Sequence, residues 1–174
     1  MKSSYAETLA RHVFELKYEQ LSSSTVQKAK QCLLDYMGGV FHASGSATAI
    51  SYINLAKELG GDGAAEILGS TVKTTASYAA FANAALGHIA ETDDGHRASI
   101  MHIGTVVFPV IFALKSEVAI DGKDIIEATV AGYELAIRVG ECLNQSHYNT
   151  WHTTATAGTF GAAAAAAKLL KLSE

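Results

Sequence analysis

The sequence predicts an all-α fold, a multi-helix bundle with one small β-hairpin near residues 64–73. Three observations carry that reading. Helix-start signals recur along the chain, and apolar residues follow them at steps of three and four. Only one stretch, AEILGSTVK, shows two short apolar runs about a Gly-Ser turn.

Ser4-x-x-Glu7 is a capping box, in which each side chain satisfies a free backbone N–H of the first turn. Tyr5, Leu9, Val13 and Leu16 then fall on one face. A second box, Ser24-x-x-Gln27, opens a longer helix with Val26, Ala29, Leu33, Met37 and Val40 inward. Gly38-Gly39 near its end suits close backbone approach. The third helix runs from about Thr48 to Leu59 and stops at Gly60-Gly61. After the hairpin, Thr74 or Thr75 caps a fourth helix carrying Tyr78, Phe81, Ala82, Ala85 and Ile89. Pro109 fits early in a helix that begins near Thr105, where first-turn N–H groups have no intrahelical partner to lose. Asp121-Gly-Lys-Asp124 opens the next helix, with a core face of Ile126, Val130, Tyr133, Ile137 and Gly140. A polar connection from Asn144 to Trp151 leads to one last helix, opened by Thr153-Thr154. Its alanines, Ala162 to Ala167, suit burial at short range.

At 174 residues the chain is expected to form a single helical domain, 1–174, with a substantial core. Hydrophobic residues make up 49% and charged ones 17%, a thin charge that points to a face reserved for a partner. A net charge of −4 argues against nucleic-acid and membrane-surface binding. Cys32 and Cys142, inside apolar patterns, read as buried thiols of a reducing compartment. The N-terminus lacks a signal-peptide core, and no apolar run is long enough to span a bilayer. The expectation is a soluble, cytoplasmic protein.

One stretch concentrates the chemistry: NAALGHIAETDDGHRASIMHIG, residues 83–104. His88, Glu91, Asp93, Asp94, His96, Arg97 and His102 lie together between two apolar helices, as in a site loop held by rigid flanks. His102 sits just before the helix starting at Gly104 or Thr105, and His152 just before the one starting at Thr153 or Thr154. A helix N-terminus attracts carboxylates and disfavours protonation of a nearby imidazole, leaving it fit to act as a base. Brought together, the two would make an anion site with proton-transfer groups at its edge. The plainer alternative is that each histidine caps its helix. Glu91, Asp93 and Asp94 are candidate ligands for a divalent cation, but HExxH and EF-hand spacings are missing and no metal is assigned. His12 and His42 read as structural, His88 as either, and His147 as solvent-facing.

The pieces CLLDYMGGV, EILGSTVKTTASYAAFANAALGHIAETDDGHR with the His102 loop, GKDIIEATVAGYELAIRVG and WHTTATAGTFGAAAAAAKLL stand in a definite order. In that order they resemble the N-terminal helical part of the MmgE/PrpD family, which includes 2-methylcitrate dehydratase, cis-aconitate decarboxylase and iminodisuccinate epimerase. The resemblance implies a helical domain joined to a smaller α+β lid, commonly a homodimer. It also implies chemistry on a small polycarboxylate without metal or organic cofactor. By the same resemblance His102 and His152 are catalytic histidines, and Glu91, Asp93, Asp94 and Gly95 fall on an acidic site motif. The expected assignments are His102, His152, Asp94 and Glu91 as catalytic, with Asp93, His96, Arg97, Gly104 and Thr153 binding substrate, Arg97 and the two helix ends supplying local positive character.

Three departures stand out. The family has His-Pro where this chain has His102-Ile103, and His-Pro-Thr where it has His152-Thr153-Thr154, so both histidines lose a rigid neighbour. The family also continues past the residue matching Glu174 into more helices, the lid and active-site lysines. The expected function is therefore the helical part of a polycarboxylate lyase or epimerase completed by another chain. The alternative is a non-catalytic helical module that self-associates or binds a full-length relative. A carboxylate-bridged metal hydrolase is a more distant third reading.

Overall fold

The first helix starts in this chain are set by short side chains that accept backbone N–H groups. In the computed structural model, which describes residues 4–143 and 145–173, Ser4 Oγ accepts from Glu7 N at 3.2 Å and the Glu7 carboxylate from Ser4 N at 2.7 Å. This box opens α1 (Tyr5–Glu15). Helix α2 (Ser23–Ala43) is capped by Ser22, whose Oγ accepts from Thr25 N at 3.1 Å. The expected Ser24–Gln27 box does not start it. The extended backbone that a cap requires falls two residues earlier, leaving Ser24 inside the first turn. Helix α3 (Ala47–Gly60) starts at Ser46 and ends at Gly61, whose φ of 64° is the left-handed geometry that glycine permits.

The hairpin forms where the sequence places it. Strands β1 (Ala65–Glu66) and β2 (Lys73–Thr74) pair antiparallel, Ala65 opposite Thr74 and Glu66 opposite Lys73. Helix α4 (Ala76–His88) follows directly, with Thr75 at its cap position but no side-chain bond there. Thr74 does not cap it either, because its buried hydroxyl donates to the Ala56 carbonyl at 3.2 Å and ties the hairpin to α3. Buried Asn83 of α4 completes the anchorage: its side chain accepts from Leu68 N at 2.8 Å and donates to Glu66 O at 3.0 Å.

The central element is α5 (Gly104–Leu114), flanked by α2, α4, α6 (Gly122–Glu141) and α9 (Gly158–Leu169). Its Val107, Phe108 and Ile111 are fully buried, and the Tyr36 ring of α2 lies 5.2 Å from Phe108. Pro109 lies beyond the first turn of α5, not within it, so the Thr105 carbonyl lacks the N–H it would meet four residues on. Its ring is buried in the core. Helix α6 has a capping box of Asp121 and Asp124 and buries Ile126. Val130, Tyr133 and Ile137 are only half-buried, while Ala128, Ala131, Gly132 and Ala136 face inward. Small residues win that face because α9 crosses so closely: a Cβ on Gly161 would stand 2.6 Å from the Gly132 carbonyl.

Between α6 and α9 the polar connection contains two short helices, α7 (Gln145–Tyr148) and α8 (Thr153–Thr156). Asn144, read as the start of that connection, lies outside the described residues. The Ala-rich helix is thus not continuous from Thr153 but breaks at Ala157. Helix α1 is pinned by Lys168 of α9, which pairs with Glu127 at 2.8 Å and donates to the Leu16 carbonyl at 2.6 Å. Neither cysteine is buried as expected, since Cys32 is half-buried and Cys142 exposed beyond the end of α6. Among the described residues no helix is long and apolar enough to cross a membrane.

Candidate active site

Helix α4 ends at His88, and the loop from Ile89 to Ile103 carries the chain back to α5. Glu91 takes a φ of 51°, and its N–H donates to the His88 carbonyl at 3.0 Å, which turns the chain sharply off the helix. The loop then closes on itself. His96 N donates to Met101 O at 2.9 Å, Met101 N to His96 O at 3.3 Å, and His96 Nδ1 pairs with Ser99 Oγ at 2.9 Å. Buried Ser99 and Met101 anchor this small ring and leave Arg97 exposed in the turn. The ring delivers His102 back beside His88.

Asp93 and Asp94 point to different partners. Asp94 Oδ1 accepts from Gly104 N at 2.9 Å, and Asp94 Oδ2 from the Tyr133 hydroxyl at 2.9 Å. It caps α5 and ties the loop to α6. Burial raises its carboxyl above the ordinary range, against these two hydrogen bonds, which lower it. Burial likewise raises the Tyr133 phenol, with Asp94 and Cys32 adding to the shift. A Cβ at Gly104 would meet Asp94 Oδ1 at 2.8 Å and Tyr133 Oη at 3.0 Å, so this junction has no room for a side chain.

The Asp93 side chain is 2% exposed, and its Oδ2 lies 2.9 Å from His88 Nδ1 and 3.5 Å from His102 Nδ1. His102 Nδ1 and the other Asp93 oxygen, Oδ1, are both buried without a hydrogen-bond partner among the described residues. His152 completes the cluster. Ring centroids are 5.3 Å apart for His88 and His102, 6.3 Å for His88 and His152, and 6.5 Å for His102 and His152. His102 N donates to Thr154 Oγ1 at 3.0 Å, which fixes the start of α8 against the loop without a proline at either position. Burial, and then the neighbouring His88 and His102, hold His152 below the ordinary imidazole range, with Asp93 opposing them. Tyr148 flanks it at 6.1 Å between rings.

Of the residues read from sequence, His102, His152 and Asp93 meet. Glu91 is exposed and, among the described residues, its side chain makes no hydrogen bond or ion pair to the cluster. The same holds for Arg97, while His96 is engaged within its own turn. Thr153 is buried at the first position of α8, and the Gly104 N–H is already held by Asp94. The carboxylates of Glu91, Asp93 and Asp94 do not converge. Among the described residues, the donors that do lie close enough for one cation are His88, Asp93 and His102. His88, left open by sequence, joins through its place at the end of α4, and Thr154 was not singled out. His147 is half-buried against Thr156 at 2.8 Å, not solvent-facing. Three imidazoles around one buried carboxylate can orient, hold and pass a proton.

A family model described as the MmgE/PrpD N-terminal domain matches residues 7–174. The chain is 27% identical over 178 residues to cis-aconitate decarboxylase of Aspergillus terreus, covering 98% of this chain and 36% of that protein. It is 28% identical over 188 residues to cis-aconitate decarboxylase of Homo sapiens, covering 99% of this chain and 37% of that protein. The mouse enzyme of the same name is 27% identical over 181 residues, at 99% and 37% coverage. The chain therefore spans a little over a third of the length of these relatives.

Proposed function

The chain belongs to the MmgE/PrpD family, and from that premise we propose that it is the histidine-bearing helical part of a cytoplasmic lyase acting on a small polycarboxylate. By analogy with the relatives' name, decarboxylation of cis-aconitate or a similar acid is the favoured reaction. The observation that carries the reading is the cluster of His88, His102 and His152 about buried Asp93. Loss of carbon dioxide leaves an electron pair on carbon, which must take a proton from a positioned acid. His102 supplies that proton as an imidazolium and is recharged from solvent, with His152 as the neutral partner. Asp93 lies against the rings of His88 and His102, whereas burial keeps His152 poised toward the neutral base. In this scheme turnover uses no metal or organic cofactor.

The test is an assay of this chain together with a chain supplying the region that the relatives carry beyond the match. Turnover of cis-aconitate or 2-methylcitrate is expected, with His102→Ala and His152→Ala each lowering kcat about 10²-fold or more. Activity that survives both substitutions would overturn the assignment. A second reading, a non-catalytic module acting by association, is favoured by the exposed Leu34, Phe41 and Phe160. It predicts a stable complex with a full-length relative and no turnover in any combination.

A further inference from the structure

We propose that His88, Asp93 and His102 form a binding site for a first-row divalent cation, with Zn²⁺ as the best fit. The donors are two imidazoles and one carboxylate, a set that suits zinc. Bonds of about 2.0–2.1 Å in a tetrahedral site set donor atoms roughly 3.3 Å apart. The Asp93 Oδ2 distances to His88 Nδ1 and His102 Nδ1, 2.9 and 3.5 Å, bracket that value. Two imidazoles on one such ion have centroids about 5 Å apart, and these two stand at 5.3 Å. His152, at 6.3 and 6.5 Å, is beyond that spacing, so the fourth position falls to water or an anion.

An independent observation points to a ligand. Asp93 Oδ1 and His102 Nδ1 are buried with no hydrogen-bond partner among the described residues, and the Asp93 side chain is only 2% exposed. Leaving such atoms unpaired carries a desolvation cost, and an ion in contact with them removes that cost. Binding requires His88 and His102 to carry their protons on Nε2, so that His88 Nδ1 offers an electron pair to the ion where it now pairs with Asp93 Oδ2. The ion would take the electron pairs that acid–base work requires, so it acts as a blocking ligand and has no part in turnover.

Titration of the chelator-stripped chain with Zn²⁺ against a chromophoric chelator tests this, because its readout is binding and does not depend on the proposed activity. One Zn²⁺ per chain is expected, and Co²⁺ should give the visible absorption of a tetrahedral site. Asp93→Asn and His88→Gln should each weaken binding at least tenfold, while His42→Ala leaves it unchanged. Circular dichroism identifies the variants that remain folded. Failure of the folded wild-type chain to bind stoichiometrically, or binding indifferent to both substitutions, would overturn the site.

Discussion

Two adjacent aspartates divide the work of the site loop, and substitution separates them. Asp94→Ala removes the acceptor for Gly104 N and strands the Tyr133 hydroxyl. We expect a loss of about 1–3 kcal/mol in denaturant unfolding, with Asp94→Asn milder because it retains one acceptor. No loss in either would show that the junction is not held this way. His152 gives a pH signature. Its folded-state pKa lies below the ordinary value of 6.5, so the unfolded chain binds more protons in the window between them. Its contribution is therefore complete above 6.5 and is lost as pH falls through the folded value. With a chelator present, the wild-type chain should lose stability as pH falls through that window, and His152→Gln should flatten the slope. An unchanged slope would place the titration elsewhere. His102 and His152 were legible in sequence because helix-start signals follow each of them. The partner of His102 was not, because the Thr154 hydroxyl reaches it only through folding.

At the scale of elements, the crossing of α6 and α9 depends on two glycines. Gly161→Ala would drive a methyl into the Gly132 carbonyl and the Ala136 side chain, both within 2.8 Å. A loss of about 1–3 kcal/mol is expected, as for other overpacked contacts. Gly38→Ala is the counterpart: it is exposed within α2, and nothing lies within 4 Å of its Cβ position. That change should stabilise by about 0.4–1 kcal/mol through the unfolded chain. Thermal unfolding of both variants checks the pair, and equal effects would contradict the close crossing. Sequence showed Gly38-Gly39 as one packing feature. Only at Gly39 would a Cβ meet another backbone, 3.4 Å from the Gly87 carbonyl, because the two point to different sides of α2.

Over the whole molecule, apolar surface remains uncovered. Leu34 is 73% exposed and Phe41 56%, both on the outer face of α2 with Gly38 between them. Such a face is expected to drive association. Light scattering of the purified chain should show a species larger than a monomer, and Leu34→Glu with Phe41→Glu should shift it toward monomer. A monodisperse wild-type monomer that binds no hydrophobic dye would count against this. The sequence by itself determined the all-α class, the hairpin and the approximate starts of α1 to α6. Caps and periodicity join residues three or four apart, so they are readable from neighbours alone. Where several short polar residues stood in a row, as at Ser22 to Ser24, the choice of cap depended on where the extended backbone fell. Tertiary structure decided the rest: that Asp93 turns toward His88 and His102, that Asp94 turns away to cap α5, and that His152 completes the cluster. Those groups come from α4, the loop after it and the start of α8. They meet only because the core around α5 fixes the distances between elements far apart in the chain.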